Sequence, residues 1–218
     1  LKAFRASIEK TRYFCYPIIE GSGADMGKLK GIIGCLIILI VLTSLAVKYS
    51  CEEAYLKRFD SLKNPQIISK PNQYVLIINY RGFHGNVLKA SEIKKLYKIA
   101  SRVKDPMQDQ VLKSRWQDPK DADKAFVGSY ALTIKPNLKI IEEGTRSELW
   151  EYGDVAEILH IGPYSKINES VEKLKKFISD NEYRIKGEYE EEYIKGPGKF
   201  FKGNENKYRT IIRFKVSR

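Results

Sequence analysis

Two stretches of this 218-residue chain run through the same succession of patterns, and that duplication constrains the fold more than any single motif. The apolar run Val75-Leu76-Ile77-Ile78-Asn79-Tyr80-Arg81-Gly82 stands 80 residues ahead of Val155 to Gly162. Each run ends at a glycine with an aromatic ring close behind, Phe83 in one copy and Tyr164 in the other. Helical spacing follows in both. Ile93, Leu96, Tyr97, Ala100 and Val103 lie behind Ser91, and Val171, Leu174, Phe177 and Ile178 lie behind Asn168, with Ser91 and Asn168 as N-caps. From here the offset is 78 residues: Asp118-Pro119 matches Gly196-Pro197, and Tyr130 with Ile134 matches Tyr208 with Ile212.

Each copy thus reads as a strand, a helix and a two-stranded hairpin, a βαββ unit. In the last strand Tyr208, Thr210, Ile212, Phe214 and Val216 alternate with Arg209, Ile211, Arg213 and Lys215, which predicts one buried face and one mostly charged face. Neither helix alone covers a sheet of this size. The expected architecture is α+β: tandem βαββ repeats, at about 74–136 and 154–218, forming one antiparallel sheet with two helices on one face. At the end of the strand Gly162 releases the backbone, Pro163 fixes φ, and Tyr164 is aimed back at the rim of the sheet.

Ahead of this domain, Gly31 to Val47 (GIIGCLIILIVLTSLAV) carries no charge and is flanked by Lys28, Lys30 and Lys48. At about 1.5 Å per residue it reaches across a bilayer core, so a single membrane helix precedes the fold. Residues 26–50 therefore read as an anchor or signal segment, and Ser44-Leu45-Ala46 resembles a cleavage site. Lys57, Arg58 and Lys63 after the run favour a cytoplasmic C-terminal domain; the short basic stretch before it favours the opposite side. Residues 1–25 show no period, Met26 resembles a natural start, and they are left unassigned, a candidate for upstream sequence that is not translated. Residues 51–73, with Pro65 and Pro71, read as a connector, so the folded domain is expected from Tyr74 onward.

The net charge of +12 comes from Lys and Arg scattered among Asp and Glu, which argues for a soluble surface rather than a nucleic-acid face. Cys15, Cys35 and Cys51 all lie ahead of the domain, so no disulfide framework holds it. The Cys, His and carboxylate spacings are not those of a metal site, and neither metal nor cofactor is expected. His84 and His160 are the only histidines; a lone strand histidine is the ordinary hydrogen-bonded structural residue rather than a haem ligand.

RWQDPKDADKAFVGSYAL in the first repeat, followed by EILHIGPYSKINESVEKLKKFI, GEYEEEYIKGPG and KYRTIIRFKV in the second, resembles the gyrase-inhibitor-like (GyrI-like) domains in this order. That family includes effector-binding domains of bacterial transcription regulators, and the resemblance spans about residues 74–218. It implies an open groove between the repeats, opposite the helices, that takes up small hydrophobic, often cationic or aromatic molecules. It also implies a groove glutamate in a Glu-x-Tyr pattern, here Glu191-Glu192-Tyr193. Strand alternation puts Glu191 and Tyr193 on one face and Glu190 and Glu192 on the other. A carboxylate beside aromatic rings suits a delocalised cation; the alternative is an acidic edge standing in water. Tyr164, Tyr80 and Trp116 are the further candidate ligand contacts, weighed together with Trp150 and Tyr189.

Three functions follow from the resemblance. The first is a membrane-tethered domain that binds a small hydrophobic or cationic molecule. The second is hydrolysis of a small electrophile, with Glu191 as base and Tyr193 or Tyr164 as donor. The third is a membrane-anchored adaptor for a protein partner, which the absence of a tail after Arg218 disfavours. Binding without catalysis is the first reading, and DNA-binding regulation is not expected with a membrane segment in place of a helical DNA-binding region.

Overall fold

A computed structural model describes residues 23–82, 90–102, 111–116, 126–136, 143–197 and 203–218. Most of the unassigned segment 1–25, the Asp118-Pro119 turn, His84, Phe83 and Val103 lie outside them. The described chain divides into two units, residues 1–54 and 55–218.

The first unit is dominated by helix α1, Gly23–Lys57, which runs beyond the apolar segment through Glu52, Glu53 and Ala54, good helix formers all. Its stretch Leu29–Lys57 is long and apolar enough to cross a membrane, with a mean hydropathy of 2.5 over its most apolar 18 residues, a property that a signal sequence near the N-terminus shares. Leu36, Ile38, Ile40 and Leu42 all stand more than half exposed along it.

In the second unit eight strands form one antiparallel sheet: β1 (Gln66–Lys70), β2 (Gln73–Gly82), β3 (Lys113–Trp116), β4 (Phe126–Thr133), β5 (Thr145–Trp150), β6 (Gly153–Ile161), β7 (Arg184–Lys195) and β8 (Arg209–Ser217). Their order across the sheet is β1-β6-β8-β7-β3-β4-β2-β5. The two βαββ units meet at β7 and β3, and each adds its first strand outermost, with β1 and β5 as the edges. The two edge strands were not anticipated. Gln66–Lys70 lies in what reads as a connector, yet it pairs with β6 from Gln66 opposite Glu157 to Lys70 opposite Gly153.

Helices α2 (Ala90–Ser101) and α3 (Ile167–Asp180) pack on one face. Leu96, Ile99 and Ala100 of α2 and Val171, Leu174 and Ile178 of α3 share one apolar cluster with Leu76, Ile78, Tyr130, Leu132, Ile158, Ile212 and Phe214. Ile99 takes the place expected for Tyr97, which is 38% exposed. Neither helix has the anticipated cap: α3 begins at Ile167 behind Lys166 without a side-chain cap, and Ser91 lies inside the first turn of α2.

Much of the opposite face is closed to solvent, although its far end at Asn79 and Val127 is exposed, and the strand order explains the closure. β1 and β2 lie six positions apart, about 29 Å in a flat sheet at about 4.8 Å per strand. Only Pro71 and Asn72 join them, a link that spans at most about 11 Å. Glu151 and Tyr152 join β5 to β6 across the same gap. The sheet must therefore roll until its edges approach, and the Tyr152 backbone N–H donates to Asn72 Oδ1 at 3.0 Å where the two links pass. Inside the roll lie Val75, Ile77, Ala131, Trp150, Tyr152 and Val155, and further along it Leu62, Leu159 and Ile211.

The second face of β8 is accordingly charged but buried. Arg213 is 5% exposed, its Nε donating to Glu157 Oε2 at 2.7 Å and its Nη1 to Glu190 Oε1 at 3.2 Å and to Glu192 Oε2. Arg115 Nε donates to Glu190 Oε2 at 2.7 Å, and the Tyr152 hydroxyl to the same oxygen at 2.9 Å.

Candidate functional site

Strand alternation gives the three consecutive glutamates of β7 two different environments. Glu190 and Glu192 enter the roll, while Glu191 points to the helix face, 5% exposed, with Tyr189 and Tyr193 beside it on the same strand. The acidic run is therefore no solvated edge. The candidate cluster lies on the same side of the sheet as the helices, not opposite them, because Tyr189 packs into the cluster built by Leu96 and Leu174.

The Tyr189 hydroxyl donates to Glu191 Oε1 at 2.6 Å, and Tyr193 supplies a second phenolic hydrogen bond. No basic side chain among the described residues pairs with this carboxylate. Burial pushes its pKa up to about 6, against the two tyrosine hydrogen bonds, which act to lower it. Burial likewise raises the pKa values of Tyr80, Tyr164 and Tyr193, so the phenols remain neutral donors.

All five anticipated contacts reach this face. Trp116 lies opposite Tyr189 in the β3–β7 register, their ring centroids 4.7 Å apart. Tyr164, in the short turn Tyr164–Lys166 behind Gly162 and Pro163, meets Tyr193 edge to face at 5.9 Å and Tyr208 at 5.4 Å. Tyr80 stacks on Tyr130 at 4.2 Å, and its hydroxyl lies 3.1 Å from Ser114 Oγ, the residue directly opposite Glu191. Trp150 does not join them; it lines the roll.

Two glycines make room. A Cβ on Gly128 would stand 2.5 Å from Tyr80 Cζ, and one on Gly196 would stand 2.8 Å from the Tyr164 hydroxyl. Sequence reasoning missed Ser114 and Thr210. Thr210 Oγ1 is buried without a partner among the described residues, in a position opposite both Tyr193 and His160. His160 itself is held by Ser170 Oγ at 2.9 Å and the Pro163 carbonyl at 3.1 Å, a structural role. The two described cavities lie elsewhere, at the crossing links and inside the roll, and none of the five anticipated residues lines them.

A rolled, eight-stranded antiparallel sheet with two helices on one face defines a known domain class, and solved structures share it. An uncharacterised conserved protein from Listeria innocua superposes with a TM-score of 0.60 at 19% identity, covering 71% of this chain and 93% of that one. A structure described as a hydrolase from Listeria innocua gives 0.57 at 19% identity, covering 71% and 92%. The C-terminal domain of EcmrR gives 0.54 at 16% identity, covering 71% and 98%. No sequence-family model matches the chain, and no curated protein matches it by sequence.

Proposed function

We propose that this is a membrane-tethered domain of the GyrI-like kind that binds a small hydrophobic cation against Glu191. The observation that carries the reading is a buried carboxylate with phenols and no cation for partners. Such a group is costly to keep ionised away from water, and a delocalised cation lying between Tyr193, Tyr164, Tyr80 and Trp116 would offset that cost through both charge and ring-face attraction. The fold shared with the C-terminal domain of EcmrR is in keeping with the reading, and α1 supplies the tether. The same proposal takes residues 26–50 as the anchor and 74–218 as the binding domain, extended at its start by β1 and by Leu62, which belong to the same folded unit.

Titration of the protein with rhodamine 6G, a lipophilic cationic dye, tests it. Glu191→Gln should weaken binding about tenfold to a hundredfold, the range of about 1–3 kcal/mol for a partly desolvated charge-assisted contact. Glu192 cannot serve as the control, because it is paired with Arg213 inside the roll. Glu148→Gln, on the exposed edge strand β5, should bind as the parent does. Equal affinity for parent and Glu191→Gln would remove Glu191 from the site.

A second reading has its own support: a carboxyl with its pKa near 6, held by two phenols, is placed to act as a general base, and one neighbour in fold is described as a hydrolase. Turnover of an activated ester that is lost in Glu191→Gln would favour catalysis over binding alone.

A further inference from the structure

Among the described residues, the interior of the roll holds four cations, Lys70, Lys113, Arg115 and Arg213, against three carboxylates, Glu157, Glu190 and Glu192. Each carboxylate is engaged: Glu157 by Arg213 and Gln66, Glu190 by Arg115, Arg213 and Tyr152, and Glu192 by Arg213. The cations are not all matched. Lys70 Nζ lies over the Tyr152 ring, 4.9 Å from its centroid, and makes no ion pair with a described residue. Its pKa is lowered to about 8, first by burial and then by Arg213.

Arg115 is fixed more firmly than an arginine on a surface. Its Nε is committed to Glu190, and its guanidinium carbon lies 3.9 Å from the Trp150 ring centroid and 4.6 Å from that of Tyr152. The Nη hydrogens have no acceptor among the described residues, and the same holds for Nη2 of Arg213. Both arginines line one cavity of about 200 Å³, together with Tyr152, Val155, Gly187 and Glu190. Glu151, Glu188 and Lys215 also line it but are exposed, where water and salt screen them. The enclosed lining is thus two guanidinium groups against one carboxylate already saturated.

We propose that this cavity binds a small oxyanion, a planar carboxylate by preference, between the Nη groups of Arg115 and the guanidinium of Arg213, with the Tyr152 ring and Val155 against its apolar part. A planar fork held by an ion pair and stacking is preorganised for bidentate recognition. The volume falls below that of drug-sized pockets, so the ligand has few carbons. The site lies on the face opposite Glu191 and does not depend on the reading of that residue.

The test uses the full chain in detergent, titrated with sodium acetate, sodium phosphate and sodium chloride at matched ionic strength, with thermal midpoint and tryptophan fluorescence as readouts. Acetate should raise the midpoint saturably where chloride does not. The fluorescence response should vanish in Trp150→Phe, while Trp116 on the other face remains. Arg115→Lys keeps a cation near Glu190 but loses the fork, and should weaken the acetate response at least about tenfold. A saturable response to phosphate in place of acetate supports the site and overturns the carboxylate preference. If either variant fails to fold, the parent's acetate and chloride curves decide alone. Coincidence of those curves, or an acetate response unchanged in a folded Arg115→Lys, overturns the proposal.

Discussion

Glu190, Glu191 and Glu192 are adjacent in sequence and opposite in thermodynamic effect. Burial alone would raise all three, but Arg213, Arg115 and Lys113 hold Glu190 below its ordinary value, and Arg213, Lys113 and Lys70 do the same for Glu192. The stability these two contribute is present above the unfolded carboxylate value and is lost as pH falls through their folded values. Glu191 works the other way, because burial raises its folded pKa to about 6, above the ordinary glutamate value of 4.5. The native state then binds more protons than the unfolded chain between those two values, so acidification through this window stabilises the protein at this residue. Glu191→Gln should therefore be more stable than the parent by about 2 kcal/mol above pH 6, with the difference closing by about pH 4.5. Paired urea titrations across pH 4 to 8 check it; a constant difference would mean that the carboxyl does not titrate in this range. Arg213→Met leaves three carboxylates facing one another inside the roll, and should cost about 3–5 kcal/mol in the same measurement at pH 7.

At the scale of elements, packing against the tyrosine cluster can be separated from backbone strain with two glycines. Gly128 on β4 has no unusual backbone, but an added methyl meets the Tyr80 ring, which is fixed by Tyr130 and Ser114 and cannot yield. Gly128→Ala should cost about 1–3 kcal/mol and also weaken dye binding at the Glu191 site. Gly153, with φ of +70° and open space around its missing Cβ, should cost about 1–2 kcal/mol as Ala and leave the dye affinity unchanged. The elements most legible in the sequence were those whose apolar period was clean: β2, β6, β8 and the α3 stripe of Val171, Leu174 and Ile178. β1 and β5 escaped because QIISK and TRSELW are short and mixed in polarity, as edge strands tend to be. That Glu191 and Tyr193 share one face was legible from alternation, but that this face is the one the helices cover was not. The network around Arg213 was not, since a charged alternate face in a strand looks the same whether it meets water or a carboxylate.

For the whole molecule, the roll makes the boundary of the folded unit a matter of topology rather than of sequence pattern. Tyr74 is where the apolar pattern begins, but β1 covers the edge of β6, and Leu62 packs on Leu159 and Ile211. Arg209 of β8 reaches back further still, its Nη1 donating to the Leu56 carbonyl at 3.0 Å and lying 3.3 Å from Asp60 Oδ1. A truncation beginning at Pro71 removes all of these contacts and severs β1 from the link that leads into β2, so Glu157 loses Gln66 and β6 is left unpaired along the edge that β1 covered. That protein should aggregate or melt well below a truncation beginning at Glu52, which keeps them. The Glu52 form should be soluble, and the full chain should sediment with membranes and resist carbonate extraction, because the uncharged run in α1 has no polar face to offer water. Fractionation of the three proteins from one host, followed by thermal melts of the soluble ones, reads both expectations. Equal melting of the two truncations would show that β1 adds nothing to the sheet, and a full chain in the soluble fraction with its N-terminus intact would remove the membrane helix.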